Sequence, residues 1–507
     1  MKKILFVLFT SISFGVKAQG TFIKTFSDGA PFWYQPFIKT IDGNLLTASY
    51  WNNFYITKTD MSGNIYWTKE FVIQGGGVIN SIIQTVDLGY ILAGSLDSLS
   101  IPISDNKPFL LKVDSSGLFS WIKIYNATGN VSVNGVFQTN DSGYLVSAGN
   151  GIEANIIRTD KNGDTLWTKI LSGTGSIWSS YCTNDNGFIL CGNGSAGGIN
   201  LIKIDSLANV TWSNNYVSGA LEFGRTVLQT SDSGYIVTGC NNCLTPNDDG
   251  LVFKTEKNGS LIWAKKFISP LRDFGMSVIE NSINEFVLTG YLNDTAGFGT
   301  FLINLNTNGD TNWTSTYPVN GGGVSLIQSD NGGYIISCQQ SNPNQTVIIR
   351  TNAIGETGCS QKYNSLIIQD VIPQITNLTV QTLSSNVIVD TIQVQQHNIN
   401  LNTTTICINT GANIESKKLN SNFSFSPNPF HSTATIRSNS QFTMHDAQLK
   451  IYNAMGSLVR IEHISNITPD NNQDYILHRD YLSNGLYFYE LRSNNYELLG
   501  RGKFVIE

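Results

Sequence analysis

Two stretches of sequence decide the fold, residues 84–94 (QTVDLGYILAG) and residues 109–123 (FLLKVDSSGLFSWIK). In both, short runs of Val, Ile, Leu and Tyr are bounded by Asp, Ser and Gly, which is the pattern of short β-strands joined by tight turns. We therefore expect four strands, a to d, over residues 81–85, 89–93, 109–113 and 119–124.

The same pattern recurs along the chain, and its tryptophan marks the period. Successive tryptophans are 45 to 54 residues apart, at Trp67, Trp121, Trp167, Trp212, Trp263 and Trp313. Cys359 stands where a seventh tryptophan would be expected. Four strands in a repeat of this length are typical of one blade of a β-propeller, in which each small sheet packs face to face on the next. Seven copies predict a seven-bladed ring, with the recurring Trp as inter-blade packing.

The composition argues against a nucleic-acid partner. The chain has 507 residues, 31 Lys and Arg against 37 Asp and Glu, and a formal net charge of −6. It therefore lacks a general basic surface for a nucleic-acid backbone. At roughly 150 residues per domain, the length predicts about three domains.

The N-terminus has the form of a secretory signal peptide. Lys2 and Lys3 precede an apolar stretch, and small residues before position 19 predict cleavage after Ala18. No later run of 18 uninterrupted apolar residues follows, so we expect no transmembrane segment in the mature chain.

The last 85 or so residues contain four motifs in a fixed order: 425–430 (FSPNPF), 449–459 (LKIYNAMGSLV), 482–489 (LSNGLYFY) and 502–506 (GKFVI). They resemble the C-terminal sorting domain, type A, of proteins exported by the type IX secretion system. The resemblance implies that the chain engages that machinery, crosses the outer membrane and is secreted or held at the cell surface. The residues that carry the sorting motifs are Pro427, Asn428, Pro429, Phe430, Gly456, Gly485 and Tyr487.

These observations predict an all-β protein in four parts. Residues 1–18 are a signal peptide and 19–359 a seven-bladed β-propeller. Residues 360–422, rich in Val, Ile, Thr, Asn and Gln, are a β-rich connector and linker. Residues 423–507 are the sorting domain, which we expect to form a small β-sandwich.

Seven cysteines are too sparse for a disulfide-built fold. Cys182 and Cys191 flank a predicted hairpin turn and are candidates for a pair across it. Cys359 and Cys407 are the best candidates for a long-range disulfide. The Cys240-x-x-Cys243 motif has no second CxxC to complete a zinc site, which favours a loop disulfide or ordinary thiols.

The two ends of the ring differ in sequence. The a–b and c–d turns are short and similar at what we name the uniform end, whereas the b–c and d–a loops vary in length at the variable end. Because variable loops on a rigid scaffold carry recognition, we expect a ligand at the variable end. The candidate ligand-binding residues are Trp51, Asp248, Asp249, Arg272 and Asp273, with Trp178 and Phe274 as stacking surfaces. The alternative is that the acidic residues are solvated turn formers.

Catalysis has weaker support in the sequence. All five histidines follow the repeats, so the ring has no imidazole to act as base or metal ligand. The pattern Asp114-x-x-Gly117-x-x-x-Trp121 resembles the tryptophan-docking repeat of quinoprotein dehydrogenases, but only its packing geometry is shared. We therefore predict no metal, no cofactor and no catalytic residue.

Three functional hypotheses remain. The first is a non-catalytic binding or adhesion module for an unidentified glycan or protein. The second is a secreted hydrolase or lyase that acts on carbohydrate or peptide through loop carboxylates, since a carboxylate pair alone supports glycoside hydrolysis. The third is a purely structural surface protein.

Overall fold

The computed structural model describes residues 21–27, 36–50, 53–73, 76–97, 106–127, 129–194, 197–243, 245, 248–269, 272–294, 297–317, 319–341, 344–358, 366–409, 423–438, 444–453, 458–467, 475–480, 482–493 and 498–507. Strands and turns make up these ranges, and no helix within them is long and apolar enough to cross a membrane. The predicted signal peptide lies outside the described residues, as do Trp51, Cys359 and Gly456.

The first 28 strands build the repeats. In chain order they are β1 (Thr21–Ser27), β2 (Phe37–Lys39), β3 (Leu45–Tyr50), β4 (Phe54–Thr59), β5 (Ile65–Val72), β6 (Gly77–Gln84), β7 (Tyr90–Leu96), β8 (Lys107–Val113), β9 (Phe119–Asn126), β10 (Ser132–Gln138), β11 (Tyr144–Gly149), β12 (Ala154–Thr159), β13 (Thr165–Ser172), β14 (Ser176–Cys182), β15 (Phe188–Asn193), β16 (Ile199–Ile204), β17 (Val210–Val217), β18 (Phe223–Gln229), β19 (Tyr235–Asn241), β20 (Asp249–Thr255), β21 (Leu261–Ile268), β22 (Arg272–Glu280), β23 (Phe286–Asp294), β24 (Gly297–Leu305), β25 (Thr311–Tyr317), β26 (Gly321–Gln328), β27 (Tyr334–Ser341) and β28 (Asn344–Arg350).

These strands form seven antiparallel sheets arranged in a closed ring. Blades 1 to 6 take four consecutive strands each, from β2–β5 to β22–β25. The innermost strands of successive blades contact each other all the way round, from β2 with β6 to β26 with β2. Blade 7 consists of β26, β27, β28 and β1, so the N-terminal strand supplies its strand d. The predicted seven-bladed propeller is confirmed, with the difference that the seventh copy borrows strand d from the start of the chain.

Aromatic packing joins the blades. Between blades 1 and 2 the rings of Phe54 and Phe109 stack with centroids 5.0 Å apart. Five of the six recurring Trp residues lie against the c–d turn glycine of the next blade, so that a Cβ added to Gly163 would come within 2.9 Å of the Trp121 ring. Trp167 instead shares a cluster with Ala208 of the next blade. Gly163 has φ +82°, a conformation that glycine adopts without strain. Each repeat is therefore fixed to its neighbour at the uniform end.

Ion pairs also recur at the uniform end. In blade 4, Asp185 in the a–b turn accepts a hydrogen bond from the Gly187 backbone N–H at 3.0 Å and pairs with Lys203 of strand c at 3.0 Å. Burial alone would raise the pKa of Asp185, but hydrogen bonds from Thr183 and Lys203 lower it to about 2. Blades 1 to 5 share this pair: Lys58–Asp42, Lys112–Asp87, Arg158–Asp141, Lys203–Asp185 and Lys254–Asp232.

After the ring, the chain runs back around its outside. We name residues 366–409 the belt; its strands are β29 (Ile367–Asp370), β30 (Gln374–Asn377), β31 (Gln381–Ser385), β32 (Ile388–Asp390), β33 (Gln395–Asn398) and β34 (Asn402–Asn409). They pair antiparallel with the outermost strands of blades 5, 4, 3, 2, 1 and 7 in that order. The predicted β-rich connector is therefore an outer layer of the propeller.

The belt has an inner and an outer face. Val387 and Val389 pack against the core between blades 2 and 3, and Ile392 and Val394 pack against the core between blades 1 and 2. Ile388, between the first two, points outward and is 72% exposed. The belt therefore covers apolar side chains at the outer seams between blades.

The last strands form a separate two-sheet unit with the strands β35 (Phe423–Ser426), β36 (Thr433–Ser438), β37 (Met444–Asn453), β38 (Leu458–Ile467), β39 (Tyr475–His478), β40 (Gly485–Ser493) and β41 (Leu498–Ile506). One sheet has the order β35-β36-β39 and the other β38-β37-β40-β41. Ile436 and Leu477 from the first sheet share a buried cluster with Leu449 and Phe504 from the second. The predicted small C-terminal β-sandwich is confirmed.

Candidate functional site

The innermost strands carry a matched set of irregularities near the variable end. In blades 2 to 7, strand a contains a β-bulge at the same position. Bulges re-aim side chains and leave one residue outside the ladder. The bulged residues are Asn80, Asn134, Trp178, Arg225, Met276 and Val324. They lie side by side around the inner rim, and we name this set the bulge ring.

Neighbouring bulges are tied to one another by hydrogen bonds. Asn80 Nδ2 donates to the carbonyl of Val133 in the next blade at 2.7 Å. The Thr226 hydroxyl, beside the bulge of blade 5, donates to the carbonyl of Met276 at 2.6 Å. Hydrogen bonds between neighbouring blades therefore hold the bulges in position.

An arginine lies between two aromatic rings in blades 4 to 6. The guanidinium carbon of Arg225 is 4.4 Å from the ring centroid of Trp178 and 5.0 Å from that of Phe274. Phe274 in turn stacks on Tyr291 with centroids 5.4 Å apart. Trp178 Nε1 donates to Asn193 Oδ1 at 2.6 Å, which fixes the indole. We name these four side chains, Trp178, Arg225, Phe274 and Tyr291, the aromatic stack.

The cation of the aromatic stack has unused hydrogen-bonding capacity. Among the described residues no carboxylate pairs with Arg225, and its Nε is buried without a hydrogen-bond acceptor. Trp178 is 41% exposed, so the stack is open on that side. Because Nε is buried, the N–H groups left for an outside acceptor are those of Nη1 and Nη2.

Four of the five candidate residues from the sequence lie together beside the stack. Arg272 Nε and Nη2 donate to the two carboxylate oxygens of Asp248 at 2.8 and 3.2 Å. The backbone N–H of Asp273 donates to the carbonyl of Asp248 at 2.8 Å. Lys266 Nζ lies 3.2 Å from Asp249 Oδ2. The fifth candidate, Trp51, lies outside the described residues.

Asp273 is the most perturbed acid of this group. It is 1% exposed, and burial raises its pKa to about 6, with Asp249 and Asp248 adding to the rise and hydrogen bonds from Ser269 opposing it. Its Oδ1 is buried with no hydrogen-bond partner. The carboxyl is therefore held near the stack at an energetic cost when ionised.

A disulfide and a buried acid hold the surrounding loops. Cys240 and Cys243 are bonded to each other and pack in one apolar cluster with Phe274. Glu222, which is fully buried, accepts a hydrogen bond from Asn241 Nδ2 at 2.8 Å and so joins the d–a and b–c loops of blade 5. The CxxC motif is thus a loop disulfide.

The other cysteines divide into free and bonded groups. The proposed pairing of Cys182 with Cys191 is wrong, because the strand register places Cys182 opposite Phe188 and Cys191 opposite Ser179, and both thiols are free. Cys407 is disulfide-bonded. Its predicted partner Cys359 lies outside the described residues, so that pairing stays a prediction.

The described residues contain no group of three His, Cys, Asp or Glu side chains that could hold a metal ion. The carboxylates of the site are instead engaged with protein groups: Asp248 with Arg272, Asp249 with Lys266 and Asp273 with Ser269. What the arrangement offers is an aromatic face beside a cation, which suits binding of a planar or anionic group.

The sorting motifs meet at the C-terminal strand of the sandwich. Asn428 Oδ1 accepts a hydrogen bond from the backbone N–H of Val505 at 2.8 Å, and Phe430 is buried against Phe504 with ring centroids 5.6 Å apart. Tyr487 also stacks on Phe504, with ring centroids 5.5 Å apart. Pro427 and Pro429 are exposed, and Gly485 opens β40. The first, third and fourth motifs therefore form one structural unit.

Comparison with known proteins places this unit in a family. Residues 424–507 match the family described as secretion system C-terminal sorting domain. No curated protein matches the chain in sequence.

Solved structures resemble the chain only distantly. A protein of unknown function from Bacteroides caccae has 10% identity over 59% of this chain and 95% of its own, with a TM-score of 0.35. Drosophila Plexin A, solved in complex with Semaphorin 1b, has 7% identity over 65% and 87%, with a TM-score of 0.37. PorZ, a surface component of the type IX secretion system of Porphyromonas gingivalis, has 8% identity over 91% of both chains, with a TM-score of 0.24. The sorting domain and the closed ring of blades together identify the chain as a surface β-propeller that is exported by the type IX secretion system.

Proposed function

We propose that the protein is a non-catalytic binding or adhesion module that recognises a glycan or a protein through the variable end of its propeller. The observation that carries the proposal is the aromatic stack. Trp178 is 41% exposed beside Arg225, and Arg225 has no carboxylate partner among the described residues. Exposed aromatics and unpaired arginines are the residue types that dominate recognition surfaces.

The acid cluster supports the stack in this proposal. Arg272 and Asp248 form a two-point ion pair, and Asp273 precedes Phe274 directly in β22. We therefore assign Asp248, Arg272 and Asp273 to holding Phe274 and the adjoining loops in place. Asp249, which begins β20, and Trp51 remain candidates for direct contact with the ligand.

One observation favours the alternative of a secreted hydrolase or lyase. Asp273 has a pKa of about 6, which suits a general acid near neutral pH. Against it, Asp248 and Asp273 are only 2% and 1% exposed, so neither carboxyl reaches a substrate in this conformation. A purely structural role would leave the exposed stack unused.

The test is binding by the purified mature chain to a panel of polysaccharides and proteins, with assay of new reducing ends and of new peptide termini. We expect binding without turnover, and loss of binding in Trp178→Ala. Tyr66→Ala is the matched control, because Tyr66 is an exposed aromatic of β5, 59% exposed, outside the stack.

Two results would contradict the proposal. Turnover that disappears in Asp273→Asn would make the protein a hydrolase or lyase. Absence of binding to every member of the panel would favour the structural role.

A further inference from the structure

We propose that the ligand is an acidic polysaccharide, and that Arg225 binds a carboxylate of one of its uronate residues at the inner rim of blades 4 to 6. This inference rests on the proposed binding function and specifies the ligand class. It assigns to Arg225 a role as the charge-recognising residue of the site.

Arg225 differs from the cations of strand c in the partners that surround it. In blades 1 to 5 the Lys or Arg of strand c has a carboxylate from its own a–b turn within 3.0 Å. Arg225 has two aromatic rings and no carboxylate among the described residues. The repeat therefore supplies partners for its structural cations, whereas this bulge residue keeps its charge available.

Arg225 lies in blade 5, and the rings of Trp178 in blade 4 and Phe274 in blade 6 have centroids 4.4 and 5.0 Å from its guanidinium carbon, so two aromatic rings crowd the planar group. A guanidinium fixed in this way presents a rigid fork of N–H donors in its plane, and such a fork matches the two oxygens of a carboxylate. A lysine at this position would offer charge without the fork.

The side chains around Arg225 suit a saccharide better than an acidic peptide. Trp178 on β14 is 41% exposed and offers an apolar face to the C–H surface of a sugar ring. The bulge ring continues from Trp178 through Asn134, whose Nδ2 is buried, to the exposed amide of Asn80. An amide offers both a donor and an acceptor, as hydroxyl groups require. Aromatic faces, uncharged amides and one cation together fit a uronate better than a run of acidic side chains.

The net charge of the chain predicts how salt should affect binding. With a formal charge of −6, the protein as a whole repels a polyanion, so attraction must come from the local cation. Binding should therefore weaken as salt is raised, because salt screens charges that solvent reaches.

The experiment compares polygalacturonate with fully methyl-esterified polygalacturonate, which has the same backbone without the charge, by calorimetric titration of the full mature chain. We expect the charged polymer to bind at least about tenfold more tightly. Arg225→Gln should lose roughly 10- to 100-fold in affinity for the charged polymer. Arg225→Lys should recover only part of that loss.

The matched control is Lys169→Gln, which removes one positive charge from a second cation–aromatic pair, since Lys169 Nζ lies 5.6 Å from the Trp167 ring centroid. Its affinity should equal that of the wild type. Thermal unfolding of each variant shows whether the fold is intact, and the Lys variant still tests the fork if the Gln variant does not fold.

Three results would overturn the inference while the proposed function stands: equal affinity for the esterified polymer, an Arg225→Gln variant that folds and binds the charged polymer like the wild type, or binding of polyglutamate in place of polygalacturonate. Failure to bind anything in the wider panel would instead overturn the proposed function itself.

Discussion

The two ends of the propeller treat charge in opposite ways. At the uniform end, hydrogen bonds from Thr139 and Arg158 lower the pKa of Asp141 to about 2. At the variable end, burial raises the pKa of Asp273 to about 6, and Arg225 has no carboxylate partner within the described part of the chain. The comparison teaches that one end of each repeat is built for stability, while the other carries groups whose bonding capacity the ring does not use.

The largest expected effect is that Asp273→Asn becomes more stable relative to wild type as pH rises. Because the folded-state pKa of Asp273 lies above its ordinary value of 3.8, the folded protein loses stability as pH rises from about 4 to about 6. The variant cannot ionise, so its free energy of unfolding relative to wild type should rise by about 2.4 kcal/mol between pH 4 and pH 7. Urea unfolding at several pH values measures this.

The control for that prediction is Asp141→Asn at the uniform end. The folded-state pKa of Asp141 is lowered, so its contribution is complete above about pH 4 and is lost as pH falls toward 2. The difference between this variant and wild type should stay constant from pH 4 to pH 7. The same upward trend in both variants would contradict the assignment of opposite roles to the two ends.

The next effect concerns the Trp-docking turns. Gly163→Ala should lower the free energy of unfolding by about 2 kcal/mol more than Gly129→Ala, because the new Cβ would lie 2.9 Å from the Trp121 ring. Gly129, in a d–a loop at the variable end, has φ +84° against +82° for Gly163 and no described atom within 4 Å of its added Cβ. Both variants share the backbone strain, so equal losses would show that the contact with Trp121 is unimportant.

A smaller effect tests the recurring ion pair. Asp232→Ala leaves Lys254, whose side chain is 4% exposed, without its carboxylate. Since the Asp232 side chain is 59% exposed, we expect a loss of about 1–2 kcal/mol, below the usual cost of breaking a buried pair. The double variant Asp232→Ala with Lys254→Met should recover most of it in urea unfolding. No recovery would mean that the turn, and not the charge, stabilises this end.

The smallest expected change in stability concerns the belt, at the outer edge of the propeller. Val389→Ala in the belt should cost about 1 kcal/mol, because Val389 packs against the core between blades 2 and 3. Ile388→Ala removes a larger side chain that is 72% exposed and should be nearly neutral. Equal effects in thermal unfolding would indicate that the belt does not cover the seam.

The ring could be predicted from sequence because its constraints are local and repeated. Asp114, Gly117 and Trp121 lie within one hairpin, and the other copies repeat this pattern with few changes, such as Ala208 for Gly and Cys359 for Trp. The course of the belt could not, since β31 pairs with β13 over more than 200 residues, as the bond between Thr168 and Ser385 shows. Alternating Val and Ile predicted strands in the belt, but its sequence does not indicate which strand of the ring each one pairs with.

The aromatic stack was only partly predictable. Trp178 and Phe274 stood out as aromatics, whereas Arg225 is a lone arginine within a strand. A signal for it exists: every bulge residue stands five positions before the Thr, Ser or Asn that opens the next a–b turn, as Trp178 does before Thr183 and Arg225 before Thr230. When the repeats are aligned on this position, Trp178 and Arg225 occupy it in adjacent blades. Their contact itself depends on bulge geometry, which the sequence does not show.

The position of the last belt strand has a consequence for maturation. β34 ends at Asn409, and the first strand of the sorting unit begins at Phe423. Proteolysis between these two strands would release the exported body with all seven blades and every belt strand still paired. Because β34 pairs with β1, the first described strand is also held by the last strand before the cut. Removal of the sorting unit would therefore leave β1 inside its sheet, between β28 and β34, with β34 as the outer edge strand.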